Sequence, residues 1–192
     1  KAEKLVKKHI KKMPTNSVLW VDIGTIYEAQ GKQSQANENY NKAIKSLFPD
    51  VQQVLSLGSA FVEKRKLDYA ETTYLQGRKM LEQVYPFSFE LADVYAQRSM
   101  PEKMVEEYLS LLEFNESYLP NIQAILQNKM AFDLEGGLND IIRTSLLRKV
   151  QRGNQKPVYN ELLYWLLLQE KDFTTALIQA KALDKRNDEN GS

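Results

Sequence analysis

The sequence predicts an all-α protein built from antiparallel helix hairpins that stack on one another. Two observations lead to this fold class. Apolar residues recur at spacings of three and four along most of the chain, which is the pattern of amphipathic helices. Residues of matched size also recur every 34 positions, which indicates a structural unit repeated along the chain.

The 34-residue period is visible in several columns at once. In the first half of each unit, a large apolar residue, a small residue and an aromatic residue keep the same spacing. In the second half, a small residue and a bulky residue four positions later do the same, so coincidence is a poor explanation. The columns are Ile23, Leu57 and Leu91; Gly24, Gly58 and Ala92; Tyr27, Phe61 and Tyr95; Ala2, Ala36 and Ala70; and Val6, Tyr40, Tyr74 and Tyr108.

Each unit is predicted to be a pair of helices of about a dozen residues, joined by a turn such as Gly31-Lys32-Gln33. One small residue from each helix lets the two backbones approach, so we expect Gly24 to face Ala36. The equivalent pair in the next unit is Gly58 and Ala70. A single hairpin cannot bury both faces of its helices, and successive hairpins are therefore expected to stack.

These residues give the chain a resemblance to the tetratricopeptide repeat (TPR) family. The match is strongest in 17–50, weaker in 51–84, where Val54 replaces the family's tryptophan, and weaker again in 85–118. Residues 1–16 resemble the second helix of a preceding unit whose first helix is missing, so we expect a fragment of a longer protein. The resemblance implies a TPR-like right-handed superhelical solenoid with a concave and a convex side. The matching residues in 17–50 are Trp20, Ile23, Gly24, Tyr27, Gly31, Ala36, Tyr40 and Ala43.

Beyond residue 118 the 34-residue spacing is lost, although helical periodicity continues. An irregular helical pair is predicted for 119–156, with a break at Gly136-Gly137. A degenerate TPR-like hairpin is predicted for 157–190, at a shift of 72 residues from the third unit. Tyr164 replaces a small residue there, so this hairpin is expected to cross differently. The matched pairs are Leu91 with Leu163, Ala92 with Tyr164, Tyr95 with Leu167, Met104 with Ala176, and Tyr108 with Ala180.

Composition removes several classes of function. Twenty-six basic and twenty-five acidic residues leave a formal net charge of +1, which supplies no general attraction for nucleic acid or anionic lipid, and no nucleic-acid partner is expected. The chain has no cysteine, which excludes disulfides, thiolate zinc sites and cysteine nucleophiles. The densest apolar stretch, Leu162 to Leu168, is too short to cross a bilayer, so direct membrane insertion is not expected.

Composition does not indicate a cellular compartment, because a chain without cysteine is suited to oxidising and reducing surroundings alike. The closing segment 180–186, Ala-Lys-Ala-Leu-Asp-Lys-Arg, resembles long TPR proteins of the Bacteroidetes. That resemblance implies a location in the bacterial cell envelope or periplasm.

No catalytic, cofactor-binding or metal-binding group is predicted. The pair Gly31-Lys32 is interpreted as a hairpin turn, because Ile26 stands where a phosphate-binding loop needs a glycine. His9 is the single histidine, and with no cysteine it has no familiar set of transition-metal ligands around it. The lysines of the first helix are interpreted as a solvated face opposite a buried stripe. We therefore expect a chain that is not an enzyme and has no cofactor.

The TPR resemblance implies that a protein or peptide docks on the concave surface, which the first helix of each hairpin lines. The family's clamp for carboxylate tails of chaperones is not expected, because its basic positions hold residues such as Thr25, Ser56 and Glu90. We expect instead a groove for a helical or extended segment, recognised by burial of apolar anchors rather than by charge pairing. The implied lining residues are Val18, Val21, Thr25 and Glu28; Gln52, Leu55, Ser59 and Val62; and Phe89, Asp93 and Ala96.

Two other classes of function stay open at the level of sequence. The chain is also suited to act as a structural spacer or a self-associating region, because the ends of a helix stack expose apolar faces. It is equally suited to be a regulatory arm of a larger enzyme or sensor. The oligomeric state and the identity of a partner do not follow from these residues.

Overall fold

The computed structural model describes residues 2–81, 83–134, 136–151 and 156–190, with side chains described as far as residue 181. Every regular element in these ranges is a helix, which confirms the all-α fold class. Lys1, where the first helix was expected to open, lies outside the described residues, as do the side chains of 182–186 in the closing segment. The chain divides into two compact units, Lys1–Ser99 and Met100–Ser192, and this boundary falls inside the predicted repeat 85–118.

The first unit consists of stacked helix hairpins. Its helices are α1 (Ala2–Lys12), α2 (Val18–Ala29), α3 (Gln33–Lys45), α4 (Val51–Glu63), α5 (Leu67–Leu81) and α6 (Ser88–Gln97). Helices α2 and α3 pack against each other as one hairpin, and α4 and α5 form the next. The hairpins stack through contacts of α2 with α4 and of α3 with α5, while α1 packs on α2 and α6 packs on α5.

The turn between the two helices of a hairpin is the same structure each time it occurs. It places one residue in the left-handed conformation: Gly31 (φ 73°) between α2 and α3, Arg65 (φ 58°) between α4 and α5, and Lys171 (φ 58°) in the hairpin predicted for 157–190. Ser99, at the end of the first unit, has the same conformation (φ 55°). Gly31, Arg65 and Ser99 are spaced 34 residues apart, and Lys171 follows Ser99 by the predicted shift of 72. Three of the turns also close with the six-residue hydrogen bond of a Schellman motif. These bonds run from Lys32 N to Tyr27 O at 2.9 Å, Lys66 N to Phe61 O at 2.8 Å, and Asp172 N to Leu167 O at 3.0 Å.

The helix crossing inside a hairpin differs from the sequence expectation. A β-carbon built on Gly24 would lie 2.4 Å from Cε1 of Tyr40, and one on Gly58 would lie 2.2 Å from Cε1 of Tyr74. The side chain nearest to each glycine is therefore the tyrosine, which stands four residues after the alanine that was expected to face it. A helical side chain points back toward the N-terminus and covers the preceding turn, so the ring extends over the position of the alanine four residues earlier.

The regular elements in the described part of the second unit are also helices. They are α7 (Pro101–Phe114), a short 3-10 helix (Glu116–Tyr118), α8 (Leu119–Ala131), α9 (Leu138–Gln151), α10 (Pro157–Gln169) and α11 (Phe173–Asn190). Helix α7 packs on α9, and α10 packs on α8, α9 and α11. The hydroxyl group of Tyr159 donates to the buried carbonyl oxygen of Leu109 at 3.1 Å and so ties α10 to α7.

Local sequence signals explain where several helices begin. Pro101 and Pro157 stand at the first position of α7 and α10, where the missing N–H costs nothing and the fixed φ suits a helix. Asp50 precedes α4, and its Oδ1 accepts a hydrogen bond from the backbone N–H of Gln53 at 2.7 Å. This N-cap satisfies one of the four free N–H groups at the helix start. It therefore fixes the beginning of α4, the helix that forms one wall of the site described next.

Candidate functional site

The residues predicted to line a concave surface differ in how accessible they are. Val21 is 0% exposed, so its side chain contributes to the core of the first hairpin. Gln52, Ser59 and Asp93 are exposed. The remaining seven are partly buried, as expected for residues on the wall or floor of a groove. They are Val18, Thr25, Glu28, Leu55, Val62, Phe89 and Ala96.

Four of the predicted residues, contributed by two helices, meet in one groove. Ser59 and Val62 of α4 face Phe89 and Asp93 of α6 across a space of about 350 Å³. We call this space the α4–α6 groove. The groove lies entirely within the first unit, and Tyr74 of α5 also lines it. The complete lining is Ser59, Val62, Glu63, Tyr74, Phe89, Glu90 and Asp93.

The segment before α6 fixes the second wall of this groove. Phe87 has left-handed backbone (φ 53°) and a fully buried ring, which stacks on Tyr74 with centroids 6.2 Å apart. Arg78 of α5 donates from Nε to the carbonyl oxygen of Pro86 at 2.6 Å, and from its guanidinium to Oγ of Ser88 at 3.3 Å. An aromatic contact and two hydrogen bonds therefore hold the start of α6 against α5. Phe89, one residue further on, is placed by this arrangement.

The groove is negatively charged along one side. Among the described residues that line it, Glu63, Glu90 and Asp93 carry carboxylates and none is basic. Glu90 Oε1 accepts a hydrogen bond from the hydroxyl group of Tyr85 at 2.9 Å. Glu90 Oε2 is buried and has no hydrogen-bond partner within the described chain. A buried acceptor without a donor is unfavourable, so this oxygen adds negative charge beside the groove that no donor of the described chain compensates.

Tyr74 forms part of the floor between the apolar and acidic sides. Burial raises the pKa of its hydroxyl group; a hydrogen bond with Ser59 opposes this change, while the charges of Glu90 and Asp93 add to it. Tyr74 is therefore a neutral phenol at physiological pH, with a hydroxyl group that forms a hydrogen bond inside the groove.

The predicted residues of α2 take part in a different arrangement. The ammonium group of Lys66 donates to Glu28 Oε1, and the hydroxyl group of Tyr40 donates to Glu28 Oε2 at 3.0 Å. The hydrogen bond from Lys66 is the main reason that the pKa of Glu28 is lowered, although burial opposes it. Thr25 donates its hydroxyl hydrogen to the carbonyl oxygen of Val21 at 3.0 Å. Glu28 therefore connects the first hairpin to the second.

The structure adds groove residues that the sequence argument did not include. Glu63 lies one helical turn after Ser59 on α4, so helical spacing was a usable signal for it. Glu90 stands at a position where the chaperone clamp of the TPR family needs a basic residue, and its carboxylate lines the groove here. Tyr74 belongs to the recurring column of bulky residues, and nothing in the sequence indicates that its ring also lines the groove.

Two further properties concern the described residues as a set. No group of three or more histidine, aspartate or glutamate side chains in them is arranged so that it could hold a metal ion. Among the same residues, no helix combines the length and the apolar character needed to cross a bilayer.

Comparisons with known proteins give structural likeness at low sequence identity. No family model matches the chain, and no curated protein matches it. The crystal structure of MamA is 16% identical, with 90% of this chain and 89% of MamA covered and a TM-score of 0.42. Pseudomonas aeruginosa PilF is 17% identical, with coverages of 94% and 80% and a TM-score of 0.39. The structure of Naa15/Naa10 bound to HypK-THB is 17% identical, with coverages of 96% and 34% and a TM-score of 0.37.

The fold of this chain follows from its own helices. Hairpins stack at a 34-residue spacing in the first unit, and Gly31 and Arg65 adopt the left-handed conformation at the same position of their turns. The chain therefore has a TPR-like helical-repeat fold.

Proposed function

We propose that this chain is a protein-interaction module that binds a polypeptide segment in the α4–α6 groove and has no catalytic site of its own. The observation that supports the proposal is the meeting of Ser59 and Val62 with Phe89 and Asp93 across one open space. Those residues come from α4 and α6, which are two of the helices on which the TPR resemblance implies that a partner docks.

The apolar side of the groove suits an anchoring side chain. Val62 and Phe89 are partly buried, so each presents some apolar surface to the open space. A Leu-, Ile- or Met-sized side chain of the partner loses its contact with water when it enters between them, at a gain of roughly 1.5–3 kcal/mol for complete burial. Burial of one such anchor is the main source of affinity in the proposed complex.

The acidic side of the groove adds a preference for positive charge. Glu63, Glu90 and Asp93 lie around the same space, and Glu90 Oε2 has no donor within the described chain. A lysine or arginine next to the apolar anchor would pair with the exposed carboxylates of Asp93 and Glu63. The preferred segment therefore combines an apolar residue with a basic one, so charge pairing is added to the burial that the sequence predicted.

A randomised peptide-display selection on the whole chain tests this proposal. Recovered peptides are expected to contain an apolar residue next to lysine or arginine. Their affinity, measured by isothermal titration calorimetry, should fall about tenfold with Phe89→Ala and about tenfold with Asp93→Lys, each equivalent to about 1.4 kcal/mol. Glu161→Lys is the matched control, because it makes an acidic-to-basic change at an exposed residue of α10, outside the groove lining.

The outcomes separate the parts of the proposal. Peptides whose affinity is unchanged by both Phe89→Ala and Asp93→Lys would show that the groove is not the binding site. Peptides that depend on Phe89 but carry no basic residue would retain the groove and remove the charge preference. Thermal unfolding of each variant, followed by circular dichroism, checks that loss of binding is not loss of fold.

A second candidate function, self-association, is favoured by the surface of α11. Phe173, Leu177 and Ile178 are 64%, 57% and 64% exposed, which is unusual for neighbouring large apolar residues on one helix. Two such faces would bury each other in a symmetric dimer. Sedimentation velocity over a hundredfold range of concentration checks this, and Phe173→Ser with Ile178→Ser should abolish any association that α11 causes. A species of monomer mass throughout would exclude this candidate.

A further inference from the structure

Three aromatic rings pack together where the hairpins α2–α3 and α4–α5 of the first unit meet. Tyr69 of α5 stacks on Phe61 of α4 with ring centroids 5.4 Å apart and an interplanar angle of 20°. Tyr69 also contacts Tyr40 of α3 at 5.0 Å, and Tyr40 contacts Phe61 edge-on at 5.7 Å. The ring of Tyr69 therefore fills the space between α3 and α5, with α4 beneath it.

The equivalent junction one repeat earlier lacks a ring at this position. Counting back 34 residues, Phe61 corresponds to Tyr27, Tyr40 to Val6 and Tyr69 to Gln35. Two of the three rings are absent, and the space is open: a cleft of about 470 Å³ lies between α1 and α3 above α2. We call it the α1–α3 socket. Its lining is Lys7, Ile10, Lys11, Trp20, Ile23, Tyr27, Gln35, Glu38, Asn39 and Lys42.

The floor of the socket is suited to an aromatic ring. Tyr27, whose equivalent Phe61 carries the stacked ring of Tyr69, lies in the lining with Trp20 and Ile23. Stacked or edge-on ring pairs at such distances contribute about 0.5–1.5 kcal/mol beyond the burial of their area. One of the two rings that receive Tyr69, the counterpart of Phe61, is therefore present in the earlier junction together with Trp20, without the ring that would pack on them.

The rim of the socket is positively charged. It carries Lys7, Lys11 and Lys42 against Glu38, an excess of two positive charges. Lys42 pairs with Glu38 at 2.7 Å and lies 5.7 Å from the centroid of the Trp20 ring. Lys7 pairs with a glutamate one turn earlier on α1, outside the lining, at 2.7 Å. Helix α1 carries further exposed lysines, and a partner surface carrying carboxylates is electrostatically complementary to this rim.

We propose that the α1–α3 socket binds an aromatic side chain carried on an acidic polypeptide segment of a partner protein. The ring takes the position that Tyr69 occupies in the next junction and packs on Tyr27 and Trp20, while neighbouring carboxylates pair with Lys11 and Lys42. The proposal is independent of the α4–α6 groove. The socket uses the face of α2 that carries Trp20, Ile23 and Tyr27, and not the face that carries Val18 and Thr25.

The test uses three synthetic peptides and the whole chain. Their sequences are Glu-Asp-Trp-Asp-Glu, Glu-Asp-Ala-Asp-Glu and Lys-Lys-Trp-Lys-Lys, all with blocked ends. Binding is followed by two-dimensional NMR, in which the indole N–H of Trp20 reports directly on the socket. We expect saturable shifts at Trp20 and Tyr27 with the acidic tryptophan peptide, and affinities at least about tenfold weaker for the other two.

Gln35→Tyr provides the structural check, because it places a tyrosine where Tyr69 stands in the next repeat. This variant is expected to raise the thermal unfolding midpoint and to weaken binding of the acidic tryptophan peptide at least about tenfold. Gln33→Tyr is the matched control: it adds the same ring to α3 at an exposed position outside the lining, and binding should be unchanged.

Several results would overturn the assignment. Equal binding of the alanine peptide would remove the aromatic ring as the recognised group, and equal binding of the lysine peptide would remove the acidic partner. A lower unfolding midpoint for Gln35→Tyr would show that the socket is not the counterpart of the Tyr69 site. Concentration-dependent dimers that disappear in Gln35→Tyr would identify a second copy of the chain, and not an acidic partner, as the occupant.

Discussion

The ring of Tyr40 lies so close to the backbone of Gly24 that a β-carbon at residue 24 would be 2.4 Å from Tyr40 Cε1. The same relationship recurs 34 residues later between Gly58 and Tyr74. Tyr40 is 1% exposed, and its hydroxyl group is bound to Glu28, so the ring has no free space into which to move. A glycine under a fixed ring is therefore the repeated contact that sets the distance between the two helices in the hairpins α2–α3 and α4–α5.

This contact predicts that Gly24→Ala destabilises the chain. Alanine in place of glycine inside a helix normally stabilises by about 1 kcal/mol. Here the added methyl group overlaps a buried ring, and overpacking of this kind costs about 1–3 kcal/mol. We expect a lower free energy of unfolding in urea for Gly24→Ala, and a larger loss for Gly24→Leu and Gly58→Leu.

The double variant Gly24→Ala with Tyr40→Leu is the control for this prediction. Leucine removes most of the ring, so the alanine methyl group no longer overlaps it, and the two changes should be strongly non-additive. If Gly24→Ala alone raised the free energy of unfolding, the close contact between the backbone and the ring would be ruled out.

The repeated turn gives a second prediction, which concerns Arg65. A residue other than glycine in the left-handed conformation costs roughly 1–2 kcal/mol, whereas glycine adopts it readily. We expect Arg65→Gly to raise the free energy of unfolding by about 0.5–1 kcal/mol, after the greater entropy of glycine in the unfolded chain is included. Gly31→Ala, at the same position one repeat earlier, should have the opposite effect. Both are measured by urea unfolding.

Lys64→Gly is the matched control for Arg65. Lys64 is the neighbouring residue but has an ordinary φ of −84°, so glycine there brings only its entropic cost. Equal effects of Lys64→Gly and Arg65→Gly would contradict the assignment of a strained turn. Ser99 and Lys171 share the conformation of Arg65, and glycine at either should act in the same direction.

The hairpins could be predicted from the sequence because their signals are local and repeat. Apolar spacing defines each helix, and Gly31 identifies one turn. Arg65, Ser99 and Lys171 carry no turn signal of their own, and only their distance from Gly31 and from one another reveals that they share its conformation. The pairing of Gly24 with Tyr40 was missed because spacing indicates which face of a helix is buried, but not which side chain lies over which.

The candidate site was predictable in part for the same reason. Positions on the first helices place Ser59, Val62, Phe89 and Asp93 on one surface, and the structure brings these four together. The α1–α3 socket could not be predicted, because it arises from the absence of a ring at Gln35. An absence of this kind has meaning only when the three-dimensional contacts of Tyr69 are known.

A third prediction concerns a hydrogen bond that ties a first helix to the preceding second helix. The hydroxyl group of Tyr95 donates to Glu71 Oε1 at 2.9 Å, and that of Tyr27 donates to Glu3 Oε1 at 3.1 Å. Each pair is 24 residues apart, and the two pairs are two repeats apart. We expect Tyr95→Phe to lower the free energy of unfolding by about 0.5–1.5 kcal/mol, because a partly buried carboxylate loses one donor.

Tyr27→Phe is the comparison that tests this explanation. The side chain of Glu3 is 32% exposed and that of Glu71 is 18% exposed, so water replaces the lost donor more easily at Glu3. Urea unfolding should therefore show a smaller effect for Tyr27→Phe than for Tyr95→Phe. The reverse order would mean that burial of the carboxylate does not determine the strength of the link.

The final prediction concerns stability at alkaline pH. Burial raises the pKa of Tyr40 from 10.0 to about 12, and burial raises the pKa of Tyr69 and Tyr74 as well. Between pH 10 and about pH 12 the unfolded chain therefore loses the proton of Tyr40 while the folded chain retains it, and the raised pKa values of Tyr69 and Tyr74 act in the same direction. Fewer bound protons in the unfolded state mean that the free energy of unfolding falls as pH rises through this window, and the contribution is complete below pH 10.

Urea unfolding at a series of pH values from 8 to 12 measures this decline. Tyr40→Phe removes one titrating group, so its free energy of unfolding should be lower than that of the parent chain at pH 8 but should fall less steeply above pH 10. The loss at pH 8 arises because Glu28 then lacks the hydroxyl donor of Tyr40. Parallel curves for the two proteins above pH 10 would mean that Tyr40 ionises alike in both states. The ring would then not be sealed between Gly24 and the rings of Phe61 and Tyr69.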